Sequence, residues 1–236
     1  REKRDGIKYV QVNLDAPMED DDAIVKKFTD AFTDNTKVVH ITHIINWTGQ
    51  VLPAAKIAQA AHDRGIEVVV DGAHSFAHLN YTIPELECDY FGTSLHKWLC
   101  APFGTGMLYV KQDKIANLWP TMPNGDPESE DIRKFEALGT RSFPAEHAVA
   151  HAIDFHNVIG AERKEERLRY LKEYWIQQVA ELDKFVLYTS RQPEYACALS
   201  VFGIEGMEGT EIERTLLSEY QIHTTPINHE GVNGVR

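Results

Sequence analysis

Thiols are scarce in this chain. Cys88, Cys100 and Cys197 are the only three in 236 residues, and no two have CxxC spacing. An odd count without that spacing speaks against a disulfide framework and for ordinary reduced thiols. Long apolar runs are missing too. No stretch approaches the roughly 18 residues that a membrane span requires, and no signal-peptide pattern is present. Basic residues are outnumbered, 24 Lys and Arg against 36 Asp and Glu, for a formal net charge of −12. Nucleic acids and anionic membranes recruit basic surfaces, so neither is an expected partner. These features read as a cytoplasmic protein. Low-complexity tracts and internal repeats are also absent.

What is present is enough apolar material, 43% of residues, to bury a sizeable core. Residues 8–14 alternate and predict a strand. Asp20, Asp21 and Asp22 suit a helix N-terminus, and Ile24, Phe28, Ala31 and Phe32 then share one helical face. Residues 38–43 predict a strand. Pro53 starts a helix with a small-residue stripe (Ala54, Ile57, Ala58, Ala61), and Gly65 ends it. Residues 67–71, 89–94 and 106–110 predict three more strands. Strands alternating with helices imply an α/β sheet, largely parallel, covered on both faces. Residues 121–131 form a turn-rich loop.

A helical region starts at Pro144 and pauses near Gly160. Beyond it Leu168, Leu171, Trp175, Val179 and Leu182 predict a long amphipathic helix, and the charged run 162–169 reads as its solvated face. Strands at 185–189 and 196–204 and a helix near 210–220 predict a smaller α+β unit. The expected division is 1–158 for part of a large domain, and 159–236 for the connecting helix and part of a small one.

Two segments carry the chemistry. Val68-Val69-Val70-Asp71-Gly72-Ala73-His74 is an apolar strand ending in a carboxylate. Thr93-Ser94-Leu95-His96-Lys97-Trp98 ends a second strand in a hydroxyl, an imidazole and an amine. Open α/β sheets bind ligands at such strand ends. An enzyme that holds pyridoxal phosphate needs this set: an anion beside the ring nitrogen, donors for the phosphate, and a lysine to form a Schiff base. Singly, Asp71 could cap a turn, Lys97 could be a surface amine, and Ser94 and His96 could cap loops. Their joint spacing favours the site. His74 could bond the cofactor's phenolic oxygen. His74 and His78 also have an i,i+4 spacing used by metal ligands, but no third ligand is evident, so no metal is expected. Asn46 is either a turn residue or a polar contact to cofactor or substrate. His40 and His43 have no assigned role.

These motifs, with Gly104-Thr105-Gly106, resemble the class V aminotransferase family of fold-type I enzymes. Glu136-Ala137-Leu138-Gly139-Thr140-Arg141-Ser142 and Gly231-Val232-Asn233-Gly234-Val235-Arg236 most resemble its isopenicillin N epimerase-like branch. The resemblance implies a large domain with a mainly parallel sheet, a smaller α+β C-terminal domain, and pyridoxal 5'-phosphate. It implies that Asp71 pairs with the pyridine nitrogen, His74 contacts the phenolate oxygen, Ser94 and His96 bind phosphate, and Lys97 carries the Schiff base. Asn46 and Arg236 are implied at the carboxylate of an amino-acid substrate. Thr140 is implied to reach the phosphate of a partner subunit, which makes a homodimer with a shared active site the expected assembly.

Members of the family carry a further N-terminal stretch with a phosphate-binding loop and a ring that stacks on the cofactor. They also continue beyond the position of Arg236. The chain is therefore expected to be a fragment, incomplete at both ends. The main rival enzyme is a cysteine desulfurase or another lyase of the family. Desulfurases place a nucleophilic cysteine in a mobile loop ahead of the carboxylate-binding arginine, and residues 222–235 contain none. The rival from another class is a non-catalytic α/β protein, which would be expected to lose Lys97 or Asp71.

Overall fold

The computed structural model describes residues 2–140 and 142–236, so Arg1 and Arg141 lie outside the description. After a helical turn α1 (Glu2–Asp5), the first sheet has the order β1-β2-β3-β4. Strands β1 (Val38–Thr42), β2 (Glu67–Asp71) and β3 (Tyr90–Ser94) run parallel, and β4 (Gly106–Val110) returns antiparallel to β3. Helices α2 (Asp21–Ala31) and α3 (Ala54–His62) lie on one face. The Asp20 carboxylate caps α2 by accepting from the Ala23 N–H at 3.0 Å.

Alternate positions on the strands point at these helices. Val39, Ile41, Val68, Val70 and Phe91 close over Ile24, Phe28, Ile57, Ala58 and Ala61 to form the main core. The opposite parity is exposed on β1, where Val38 is at 52%, and half-buried on β2 and β3, as at Val69 and Tyr90. The expectation of a sheet covered on both faces is thus met on one face only among the described residues. That second face matters for function, because Thr42, Asp71 and Ser94 share its parity at the C-terminal ends of the three parallel strands.

The second sheet, β5 (Phe185–Leu187), β6 (Phe202–Ile204), β8 (Val232–Val235) and β7 (Pro226–His229) in that order, is antiparallel and packs on α6 (Gly209–Tyr220). It is the smaller α+β unit expected beyond Lys184. It is reached through α4 (Pro144–Ile159) and α5 (Ala161–Val179), which are separated by Gly160 at φ +88°. Backbone and side-chain bonds tie it to the first unit: Val51 N–H to Tyr195 O at 2.8 Å, and Thr189 Oγ1 to Thr48 O at 2.6 Å.

Four sequence expectations need correction. Residues 8–14 form no strand. Val12 and Leu14 are half-buried against the core while their neighbours are exposed, so the alternation reports one-sided contact without a ladder partner. Strand structure in 196–204 is confined to Phe202–Ile204. The buried line on α5 runs through Lys172 and Ile176, whereas Leu171 and Leu182 are exposed. Finally, the charged run is not simply solvated. Arg169 bonds Glu165 and the Ala196 carbonyl, and Lys164 donates to the Trp98 carbonyl, so these charges fasten α5 to loops. The β7–β8 hairpin was not foreseen. Its turn holds Glu230 and Gly231 at φ +50° and +80°, the pattern of a two-residue primed turn.

Candidate active site

Parallel β1, β2 and β3 deliver their C-terminal ends to one edge, and the chemistry-bearing residues sit there. Asp71 closes β2 in register with Thr42 and Gly92. Its backbone is locked by the His43 N–H to Asp71 O bond at 3.0 Å, and its Oδ1 accepts the Ala73 N–H at 2.8 Å. Gly72 is required next. A Cβ at this position would lie 2.0 Å from the ring of Phe91, which is fully buried beneath it. The chain then coils through loose turns, with Phe76 N–H reaching Gly72 O at 2.9 Å, and these turns present His74 and His78.

Ser94 ends β3. A turn closed by Cys100, at φ +62°, brings Lys97 back over the strand ends. Lys97 Nζ stands 3.0 Å from His74 Nε2. Burial pushes the Lys97 amine below its usual pKa, Asp71 opposes that shift, and Arg236 adds to it. Burial also pushes His74 down to about 4, aided by Lys97 and Arg236 and opposed by Asp71. Asp71 and Arg236 thus both act electrostatically on His74 and Lys97, although Arg236 lies at the end of β8. The Arg236 backbone exchanges two hydrogen bonds with Thr225, both 2.9 Å, and its guanidinium donates to the carbonyl of Asn46. Asn46 and Arg236 therefore adjoin. Trp47 extends the rim by an edge-on contact with His229, centroids 4.8 Å apart.

His96 and Ser94 flank the same turn. The Nδ1 of His96 is buried with no hydrogen-bond partner among the described residues, and its ring lies against Phe103. Thr140 is exposed and makes no hydrogen bond to the Asp71–Lys97 cluster among those described. Of the sequence-derived residues, the fold brings Asn46, Asp71, His74, Ser94, His96, Lys97 and Arg236 to one edge, while Thr140 has no hydrogen bond to them.

Sequence reasoning missed the support behind His74. His78 is 1% exposed, its Nδ1–H donates to the His74 carbonyl at 2.7 Å, and its Nε2 accepts the Ala198 N–H at 3.0 Å. The ring stacks on Trp98 with centroids 3.8 Å apart and planes 19° apart. Both His78 nitrogens are occupied, so the His74/His78 spacing serves the backbone. Among the described residues no group of three or more His, Cys, Asp or Glu is arranged to hold a metal. No helix among them is long and apolar enough to cross a membrane. Burial pushes the thiols of Cys88 and Cys197 up to about 11.

Comparison with known proteins bears on the family and the fold. The family described as Aminotransferase class-V matches residues 2–227. An isopenicillin N epimerase of Amycolatopsis lactamdurans is 31% identical over 201 residues, which cover 79% of this chain and 50% of the relative. A probable cysteine desulfurase of Halalkalibacterium halodurans is 29% identical over 211 residues, 85% of this chain and 51% of the relative. The chain spans about half the length of the curated relatives it matches. Among solved structures, a cystine C–S lyase in complex with cysteine persulfide superposes with a TM-score of 0.82 at 24% identity, over 96% of this chain and 62% of that one. That likeness speaks for the fold, the α/β arrangement of fold-type I enzymes.

Proposed function

The chain belongs to the class-V aminotransferase family, and from that premise we propose that its protein is a pyridoxal-phosphate enzyme acting at Cα of an amino acid, in the isopenicillin N epimerase-like branch. The observation that carries this reading is the position of Lys97 Nζ, 3.0 Å from His74 Nε2 and within the fields of Asp71 and Arg236. The residues fit the cofactor. A buried His96 nitrogen without a partner suits a phosphate, a strand-end carboxylate suits a pyridinium, and a lysine with a lowered pKa suits an aldehyde.

The roles follow from chemistry. Asp71 would face the ring nitrogen and favour its protonated form. His74 would bond the phenolic oxygen, and Ser94 and His96 would hold the phosphate. Arg236, beside Asn46, would fork the substrate carboxylate through two parallel hydrogen bonds. Thr140, exposed and without a hydrogen bond to this cluster, would serve the phosphate of a second subunit, so the active assembly would be a homodimer. The bound cofactor supplies an electron-withdrawing ring that makes the substrate's Cα proton acidic. Lys97 Nζ takes and returns that proton. The domains would divide near 158, with Arg236 contributed by the C-terminal part and Asn46 and the other site residues by the N-terminal part. Cys88 and Cys197 are buried and protonated, Cys100 is exposed on the turn after Lys97, and the absence of cysteine from 222–235 favours proton transfer at Cα over sulfur chemistry.

The test is exchange of the α-proton with deuterated water across a panel of amino acids, using the full-length protein with pyridoxal phosphate. Lys97-dependent exchange in at least one of them is expected. No exchange above that of a Lys97→Ala variant would overturn the proposal, and chiral analysis of the products would then separate epimerisation from amino transfer and elimination.

A further inference from the structure

The contacts behind His74 form a chain: Ala198 N–H to His78, His78 stacked on Trp98, Trp98 to His74, and His74 to Lys97. Proton counting along it is restrictive. His78 Nε2 accepts from a backbone N–H and so is unprotonated, while His78 Nδ1 must carry the proton it gives to the His74 carbonyl. His78 is therefore a neutral ring with one tautomer. Burial takes its pKa down to about 4, opposed in smaller measure by the His74 carbonyl and aided by the His74 ring and by the cations Arg169 and Lys164 of α5.

The Trp98 indole nitrogen is a donor only, and it lies 3.4 Å from His74 Nδ1. A neutral imidazole accepts at one nitrogen and donates at the other. Trp98 and an ammonium on Lys97 therefore cannot both donate to His74. If Trp98 occupies Nδ1, the His74 proton sits on Nε2 and points at Lys97 Nζ, which must then offer its lone pair.

We propose that Trp98, held in plane by His78, is a positioning residue that fixes His74 as a donor toward Lys97 and so keeps the Lys97 amine as the free base. This rests on the reading of Lys97 as the group that takes up the cofactor, and it deepens that reading. The amine that must attack an aldehyde is pre-set in its nucleophilic form by an indole that acts through His74. The lowered pKa of Lys97 agrees with it, and the charged groups acting on the amine, Asp71 and Arg236, partly offset each other.

Two measurements on the full-length protein test this, neither requiring turnover. Nitrogen-15 NMR of the histidine side chains, with His74 assigned by loss of its signal in His74→Asn, reads the tautomer. The Nε2–H form is expected in the wild type, and an Nδ1–H form or a charged ring near pH 7.5 would overturn the proposal with no variant needed. Competitive acetylation with peptide mass analysis then reads the titration midpoint of Lys97. Trp98→Phe keeps an aromatic ring to stack on His78 and removes the N–H donor along with the smaller of the two fused rings. It is expected to raise that midpoint by about one pH unit, so Lys97 reacts about tenfold more slowly near neutrality. An unchanged midpoint in a folded Trp98→Phe protein would also overturn the proposal. Both readouts keep their meaning if pyridoxal phosphate does not bind, so failure of the functional reading is distinguishable from failure of this one.

Discussion

Replacing His78 with Phe should produce a stability loss that shrinks as the pH falls. Phe can keep the stack on Trp98 but neither accepts the Ala198 N–H nor donates to the His74 carbonyl. Stranding buried backbone groups costs about 1–3 kcal/mol each, and partial relaxation puts the expected loss at about 2–4 kcal/mol at pH 8. In the wild type His78 is held neutral, its pKa pushed down to about 4 by burial. The unfolded chain binds the proton at an ordinary value of about 6.5.

A group depressed in the folded state contributes stability that is complete above the unfolded value and is lost as pH falls toward the folded one. The gap is worth about 3 kcal/mol, lost at up to about 1.4 kcal/mol per pH unit between roughly pH 6.5 and 4. The variant has no such group at this position, although His43, also pushed down to about 4 by burial, still titrates. The difference in unfolding free energy between the two proteins should therefore narrow from pH 8 to pH 4.5. Urea unfolding followed by tryptophan fluorescence at pH 8, 6.5, 5.5 and 4.5 measures it. A gap that stays constant across that range would refute the reasoning.

Other perturbations address neighbouring parts of the account. Lys97→Ala should leave the unfolding free energy from urea within about 1 kcal/mol of wild type and lower α-proton exchange by about a hundredfold or more; unchanged exchange would remove Lys97 from the chemistry. Asp71→Asn should slow the same exchange by about a hundredfold, since it removes the charge that stabilises a pyridinium, and an unaffected rate would count against that pairing. Gly72→Ala should destabilise by about 1–3 kcal/mol or more through overlap with Phe91, and Phe91→Leu in the same chain should recover part of the loss; additive losses would rule out the clash. Asp89→Ala removes a buried carboxylate that accepts the Val68 N–H at 2.8 Å and bonds His62 at 2.9 Å, and should cost about 2–4 kcal/mol by calorimetry, with a loss under about 0.5 kcal/mol refuting its structural role.

The parallel sheet and the site were legible in the sequence for related reasons. Residues 67–71 and 106–110 form strands with the expected bounds, because both are short apolar runs flanked by turn residues, the first parallel and the second antiparallel to its neighbour β3. Asp71, His74 and Lys97 were readable because the strand ends carry polar groups that the core could not accept. The rest was set by tertiary contacts that leave weak local marks. Lys172 sits on the buried line of α5 because the Ser190 carbonyl accepts its Nζ at 2.9 Å, a partner 18 residues away. Apolar residues alone therefore placed that face wrongly. His78 appeared as half of a metal spacing because its true partners are backbone groups, one of them at Ala198. The β7–β8 hairpin escaped notice because it is two four-residue strands joined at Glu230-Gly231, a turn without the usual Asn-Gly signal.

The central claim is that Lys97 takes up the cofactor, and the most direct test is reduction with borohydride after adding pyridoxal phosphate to the full-length protein, followed by peptide mapping. The account predicts one reduced pyridoxyl adduct, on Lys97, lost in Lys97→Ala. A folded protein that carries no adduct, or carries it on another lysine, would contradict the claim.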